Sequence, residues 1–332
     1  MGAASRRSFK RGMQKVDIGF SLKSIMKILE RLNPKSSDPG PFRETLMTKK
    51  LLFLFDTDPV ASVFDTVVGY DGGADHVIGY GGVTPENVGA LVDGTIYTRG
   101  PGEKQYTAIF VGGGSMTAGE AVFQAVKKRF FANFRVSVIL DSNGSNTTAA
   151  AGVALLAKTR PLTGKKAIVL AGTGPVGLRA AAMLHSEGAE VTITSRQKQR
   201  AEAAAKAVND RFGFTPEAAE AGDLDSYAAV VKGKQIVLAS GAIGTTLLAE
   251  KDWQYDPTIE LLVDFNAQPP LGIAGVEATD KGKERHGKIV FGALGVGGLK
   301  LKLHRALIGE LFESSTALFD AEEIYAKAKT LA

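Results

Sequence analysis

Short apolar runs alternate with helix-forming stretches along most of the chain, and each run stops at a polar or glycine-rich loop. Leu51–Phe55 ends in Asp56-Thr57-Asp58-Pro59, Val77–Tyr80 in Gly81-Gly82, Thr107–Val111 in Gly112-Gly113-Gly114, and Val136–Leu140 in Asp141-Ser142-Asn143-Gly144. Short uninterrupted apolar runs of this kind are strands buried on both faces. Helices are expected between them. One starts at Thr84 as N-cap with Pro85 at the first helical position. Others cover Ala118–Phe131 and the Ala-rich segment Thr147–Lys158. A second series begins at Lys165, with strands at Ala167–Ala171, Val191–Thr194, Ile236–Ala239, Leu261–Val263 and Ile289–Phe291. Helices at about Leu299–Glu313 and Ala321–Leu331 close the chain.

This alternation predicts an α/β protein with two α/β domains and a cleft between them, the second a Rossmann-type nucleotide-binding domain. Its ligands should sit at the carboxyl ends of the strands. The domains read as 47–150 and 151–299, with the helices of about 300–332 packing back on the first. Residues 1–46 stand apart. Ile25, Ile28, Leu29 and Leu32 follow a helical period, which Pro34, Ser36, Ser37, Pro39, Gly40 and Pro41 then break. The segment reads as a poorly ordered basic extension, because Met47-Thr48-Lys49-Lys50 opens abruptly into a strand.

Charge and composition narrow the chemistry. The net charge of +5 suggests a polyanion partner, but its distribution argues against one. Residues 1–46 hold ten Lys/Arg and four Asp/Glu, which leaves 30 Lys/Arg and 31 Asp/Glu for the neutral body. Neither nucleic acid nor a membrane is an expected partner. With no cysteine, thiolate nucleophiles, disulfides and cysteine-held zinc are excluded, and a reducing cytoplasm fits. His76, His185, His286 and His304 are scattered without ligand spacing, so no metal site is expected.

The clearest chemical motif is Gly172-Thr173-Gly174-Pro175-Val176-Gly177, placed after one strand and before the helix Leu178–Leu184. In that context Gly172 permits the tight turn, Gly174 lets backbone approach a pyrophosphate, and Gly177 lets helix and strand pack closely. The helix N-terminus supplies free N–H groups. At the end of the next strand an NAD site usually carries a carboxylate for the ribose hydroxyls. Here Ser195-Arg196-Gln197-Lys198 stands there, so NADP is the expected cofactor, with Ser195, Arg196 and Lys198 at its 2′-phosphate. Ser240, Ala242 and Ile243 follow a further strand and should run along the cofactor. Asn266 and Gln268 lie in the rigid loop Asp264–Gly272, a fitting wall for a flat heterocycle.

The segments Phe55–Asp58, Gly69–His76, Asp93–Gly100, Asp141–Thr148, Leu170–Gly177, Asp264–Gly272 and Phe291–Arg305 resemble the NADP-dependent methylene-tetrahydromethanopterin dehydrogenases of methylotrophic bacteria, and the similarity runs from about Met47 to Ala332. The resemblance implies a pterin-binding first domain and a homotrimer. It also implies reversible oxidation of methylene-tetrahydromethanopterin to the methenyl form during formaldehyde oxidation. Tetrahydrofolate derivatives are the alternative substrates, and a non-catalytic NADP-binding protein is the alternative class. Hydride removal leaves a cation shared by two flanking nitrogens, so positioning should dominate catalysis. By resemblance Lys300 matches the family's active-site lysine, which would orient the pterin. Its charge in a first helical turn would itself point to a specific partner. Asp56, Thr57, Asp58, Asn146, Thr148 and Gln268 are the substrate-binding candidates. Tyr325 and Lys329 form a Y-x-x-x-K spacing that reads as accidental.

Overall fold

The computed structural model describes residues 48–332, so the basic segment 1–46 and its helical period lie outside it. Two sheets organise the described chain. The first is built from β1 (Leu51–Asp56), β2 (His76–Tyr80), β3 (Thr107–Gly112), β4 (Ser137–Leu140) and the late β12 (Leu318–Phe319). Its order is β12-β4-β3-β1-β2, and every pair is parallel. The second holds β5 (Lys166–Leu170), β6 (Glu190–Ser195), β7 (Glu217–Glu220), β8 (Ile236–Ala239), β9 (Leu261–Asp264), β10 (Lys281–Arg285) and β11 (Lys288–Phe291). It runs β10-β11-β9-β8-β5-β6-β7 and is parallel except for the β10–β11 hairpin.

Each order reverses direction at one point, between β1 and β3 in the first sheet and between β5 and β8 in the second. At such a point neighbouring connections leave toward opposite faces and open a crevice at the strand ends. The loops that the sequence singles out follow the strands that flank these points. The helices are α1 (Val63–Asp71), α2 (Val88–Tyr97), α3 (Met116–Arg129), α4 (Ser145–Thr159), α5 (Pro175–Ser186), α6 (Lys198–Phe212), α7 (Leu224–Val231), α8 (Ala293–Leu311) and α9 (Ala321–Leu331).

α4 ties the two sheets together. Ala149, Ala150, Ala151, Val153, Ala154 and Leu156 are buried in a core that also takes in Leu52 and Phe110 of the first sheet and Ala167 and Val263 of the second. Small side chains bring the neighbouring elements close. A methyl group on Gly152 would lie 2.5 Å from the ring of Phe265, so Gly152→Val cannot be accommodated without moving the loop that follows β9. Leu156 is fully buried, and truncating it to alanine should cost about 2–5 kcal/mol.

Two helix starts differ from the sequence reading. The helix expected from Thr84 begins at Val88. Asn87 Oδ1 accepts from the Thr84 amide and its Nδ2 donates to the Gly82 carbonyl, which holds 84–87 as a turn. The helix expected from Leu299 begins at Ala293, and its glycines lie inside it. The reason is a close approach: a methyl on Gly295 would meet the Asp280 carbonyl at 1.8 Å. Lys300 therefore stands in the third turn, and the argument from a disfavoured cation in a first turn falls away.

Candidate active site

The first cavity lies at the switch point of the first sheet and encloses ≈ 300 Å³. Asp56, Asp58, Val60, Ser62, Phe64 and Asp65 line it after β1, with Gly113 and Gly114 after β3, Asn143 and Gly144 after β4, and Lys300 from α8. Loops from three neighbouring strand ends thus meet the first turn of α1 and the middle of α8. Asp56 is buried and already engaged: its carboxylate accepts from the Asp58 amide at 2.8 Å and the Ser62 amide at 2.9 Å. Asp58 accepts from the Gly114 amide at 2.8 Å. Thr57 packs beneath Gly113, whose positive φ of 105° a side chain would not adopt without strain.

Asp65, absent from the sequence candidates, is the carboxyl of most consequence. Ser62 caps α1 by accepting from the Asp65 amide at 3.1 Å. Burial pushes the Asp65 carboxyl up to about 6, against the opposing effects of the Ser62 hydroxyl and Lys300. Deeper in, Asp141 accepts from the Thr147 amide at 3.0 Å and from the Thr147 hydroxyl at 2.6 Å. Burial raises it too, and Lys300 is the largest opposing influence.

Lys300 sits half-buried in the middle of this acidic group. Its ammonium lies 4.8 Å from the centre of the Phe64 ring and packs against Gly144, where an added methyl would come within 3.1 Å of Nζ. It forms no ion pair among the described residues, so its donors remain available. One turn on, His304 is buried and stacks on Phe110 at 5.3 Å. Burial, reinforced by Lys300, pushes its imidazole down to about 3, so it stays neutral and adds no second cation. Thr148 flanks Gly144, 3.9 Å from a methyl built there. Asn146 does not reach the cavity. It is fully buried, donating to the Leu140 carbonyl at 2.7 Å and accepting from Arg179 at 2.5 Å. Its assignment to the substrate is corrected to a structural contact.

The second cavity, ≈ 320 Å³, lies at the switch point of the second sheet. Thr173, Gly174, Ser195, Arg196, Ser240 and Ala242 of the sequence candidates line it, joined by Arg200, Tyr227 and Thr245. Gly174 is the N-cap of α5 and Pro175 its first residue, which leaves the first-turn N–H groups without intrahelical partners. A methyl on Gly177 would come within 2.7 Å of the Gly172 backbone and of Ser240 Oγ, so the helix can seat here only as glycine. Gly172 and Gly177 thus pack backbone to backbone in the turn, and Val176 is the second residue of the helix.

Several candidates lie elsewhere. Lys198 donates to the Ala218 carbonyl on β7 and does not line the cavity, so Arg200 replaces it beside Arg196. Asn266 is buried, accepts from the Gln268 amide at 3.1 Å and donates to the Pro270 carbonyl at 3.3 Å, which fixes its own loop. Asp264 anchors that loop by accepting from the Asn266 and Ile273 amides. Gln268 and Ile243 are exposed. Tyr325 and Lys329 line neither cavity. Lys329 pairs with Glu187 at the end of α5, 2.8 Å away.

Residues 63–143 match the family model described as methylene-tetrahydromethanopterin dehydrogenase, N-terminal. The bifunctional protein MdtA of Methylorubrum extorquens is 66% identical over 288 residues, which cover 86% of this chain and 100% of the relative. An NAD(P)-dependent methylenetetrahydromethanopterin dehydrogenase of the same organism is 28% identical over 296 residues, again covering 86% of this chain and 100% of that one. Among solved structures, the ligand-free 5-ketofructose reductase of Gluconobacter sp. strain CHM43 covers 86% of this chain and 100% of its own, at 15% identity and a TM-score of 0.48.

Proposed function

This chain belongs to the methylene-tetrahydromethanopterin dehydrogenase family, and on that premise we propose that its two cavities carry out one hydride transfer. The reaction is the reversible oxidation of methylene-tetrahydromethanopterin to the methenyl form, with NADP, when bound, taking up the hydride. The observation that carries the reading is the cavity in which Lys300 and Asp65 meet at the switch point of the first sheet.

The residues present fit NADP. The Gly172–Gly177 turn leaves no room for a side chain where helix and strand meet, which is the shape a pyrophosphate cradle requires. Ser195 and Arg196 at the end of β6 and Arg200 in the first turn of α6 line the cavity, where two guanidinium groups favour a 2′-phosphate over a bare ribose. Tyr227 supplies a wall beside them.

The pterin occupies the first cavity in this reading. Val60 and Phe64 are large apolar side chains exposed at its mouth, 78% and 50%, and give a flat ring a dry surface. Asp58 and Asp65 accept hydrogen bonds from its amino and amide edge, and Lys300 donates to a carbonyl or ring nitrogen. The product is a cation shared by two nitrogens. With Asp56, Asp58 and Asp65 lining the cavity around a single lysine, acidic groups are in surplus, which favours positive charge as it develops. The acidic groups around Lys300 counter its charge, so its donors can orient substrate beside a forming cation at little electrostatic cost. No proton need move, because the substrate's own nitrogens absorb the change. Catalysis then rests on alignment of the rings and exclusion of water.

We further propose a homotrimer working in the cytoplasm. The cysteine-free composition fits a reducing compartment. No helix of the described residues is long and apolar enough to cross a membrane. The clustered, exposed rings of Tyr97, Phe131 and Phe134 offer a surface for subunit contact. Initial rates of NADPH formation with methylene-tetrahydromethanopterin and with methylene-tetrahydrofolate test the reading. The methanopterin derivative should be used at the higher kcat/KM, and a preference for the folate would move the assignment to the alternative carrier.

A further inference from the structure

Arg179 is a buried guanidinium that neither cavity uses. It is the fifth residue of α5, two residues beyond Gly177, so it shares a helical turn with the cofactor cradle. Its side chain is only 5% exposed, and a charge so placed persists only with well-aligned partners. It finds them across the chain, on α3 and at the start of α4. Nε donates to Asn146 Oδ1 at 2.5 Å, and Nη2 donates to Glu120 Oε1 on α3 at 2.7 Å. Nη1 makes a longer contact of 3.4 Å to the Pro175 carbonyl, at the first position of its own helix. Asn146 passes the link on, donating to the Leu140 carbonyl at the end of β4. The residues between, Asn143 and Gly144, line the substrate cavity, and Gly144 is the surface against which Lys300 packs.

An apolar side chain of similar volume could fill this space at equal or better stability, since desolvating a charge costs as much as its pairing returns. Such a side chain would, however, permit α5 to slide or tilt. A planar guanidinium with fixed donor directions does not. The fork therefore sets the position of the cradle helix relative to the loop under Lys300. Hydride transfer between two bound rings is unusually sensitive to that position, because misplacement by a fraction of a bond length leaves binding intact and removes rate.

We propose that Arg179 is a positioning residue, joining α5 to Glu120 and Asn146 so that the cofactor cradle and the substrate cavity hold the spacing that hydride transfer requires. The proposal rests on the dehydrogenase reading for its kinetic consequence and on the Arg179–Asn146–Glu120 geometry alone for the mechanical link.

The test uses the full chain carrying Arg179→Met, Arg179→Lys and Glu120→Gln. Arg179→Met should lower kcat by about 10-fold or more while the NADP dissociation constant and the substrate KM move by less than about 3-fold. The primary deuterium isotope effect on kcat, measured with methylene-deuterated substrate, should rise as hydride transfer becomes slower than product release. Arg179→Lys cannot make the two-pronged contact and should recover little. Glu120→Gln keeps an acceptor on a partly exposed side chain, should fold normally, and should give an intermediate loss. Combined with Arg179→Met it should add almost nothing. Amide hydrogen exchange supplies a readout independent of turnover. NADP binding should slow exchange at Asn143–Thr148 in the unaltered protein, and Arg179→Met should abolish that response while leaving protection of the Gly172–Gly177 turn. The proposal is overturned if Arg179→Met lowers thermal stability but leaves turnover per folded molecule and the isotope effect unchanged. It is overturned equally if NADP affinity falls in proportion to kcat, or if the exchange response at 143–148 survives. A wild-type protein inactive with the pterin would defeat the dehydrogenase reading, and the exchange experiment would still decide the link.

Discussion

Asp65→Asn should make this protein more stable and a poorer binder of its substrate. Burial raises the Asp65 carboxyl from an ordinary 3.8 to about 6. A shift of that size corresponds to about 3 kcal/mol disfavouring the ionised form at neutral pH. Asparagine has nearly the same shape and removes the charge, and the net shift already includes the opposing bond from the Ser62 hydroxyl. The expected gain is ~3 kcal/mol, or roughly 4 °C in the unfolding midpoint of a chain of this size. The sign carries a pH signature. Between 3.8 and about 6 the folded state holds a proton that the unfolded state has released, so the wild type loses stability as pH rises through that window and is flat above it. The advantage of Asp65→Asn should therefore be full at neutral pH and vanish near the lower end of the window. Calorimetric unfolding of both proteins across this range measures it. A constant difference at all pH values, or a variant less stable than wild type at neutral pH, would refute the assignment of strain to the buried carboxylate. The same substitution should raise the substrate KM by about 10-fold, equivalent to about 1.4 kcal/mol, with NADP affinity unchanged.

Other substitutions separate the two cavities. Lys300→Met, read by stopped-flow hydride transfer, should slow the chemical step by about 10-fold or more, about 1.4 kcal/mol, at near-normal NADP affinity. Lys302→Met is its control, because Lys302 donates to the Leu331 carbonyl at the C-terminal end and faces away from the cavity. Arg196→Ala and Arg200→Ala should each weaken NADP binding in a titration by roughly 1.5–3 kcal/mol while leaving NAD binding almost untouched, and an equal loss for both cofactors would remove the 2′-phosphate assignment. Gly177→Ala, whose new methyl meets backbone at 2.7 Å, should lose most NADP binding in the same titration. A chain starting at Met47 should match the full chain in unfolding midpoint and turnover, since a relative is covered over its whole length by 86% of this chain. A large drop in either would give residues 1–46 a structural role.

Much of the architecture was legible because it depends on local pattern. Strand, loop and helix alternate with a clear period, and the loops after β1, β3, β4, β5 and β8 all reach a cavity as the strand ends predict. The Gly172–Gly177 turn was legible because each glycine has a steric reason that sequence context reveals. What depends on direction in space was not. Asn146 and Lys198 have suitable chemistry at suitable positions, yet their side chains turn to the Leu140 and Ala218 carbonyls. Arg200 was available in the basic run 196–200, and only the start of α6 at Lys198 brings it beside Arg196. Asp65 carried a readable signal, since Ser62-Val63-Phe64-Asp65 has the spacing of a helix capping box. That signal points to helix structure, and only the fold shows that the same carboxyl faces Lys300. The helix around Lys300 was set too late because six residues of glycine-rich sequence, Ala293 to Gly298, read as a loop until packing against Asp280 is known.

The central claim is that the Lys300–Asp65 cavity receives the one-carbon pterin and the Arg196–Arg200 cavity receives NADP. Single-turnover transfer from methylene-tetrahydromethanopterin, followed by NADPH fluorescence in wild type, Lys300→Met and Arg200→Ala, tests it most directly. The account predicts rapid NADPH formation in wild type, a slow chemical step with unaltered NADP affinity in Lys300→Met, and a normal chemical step at saturating NADP in Arg200→Ala. No NADPH from the wild type, or an unchanged chemical step in Lys300→Met, would contradict it.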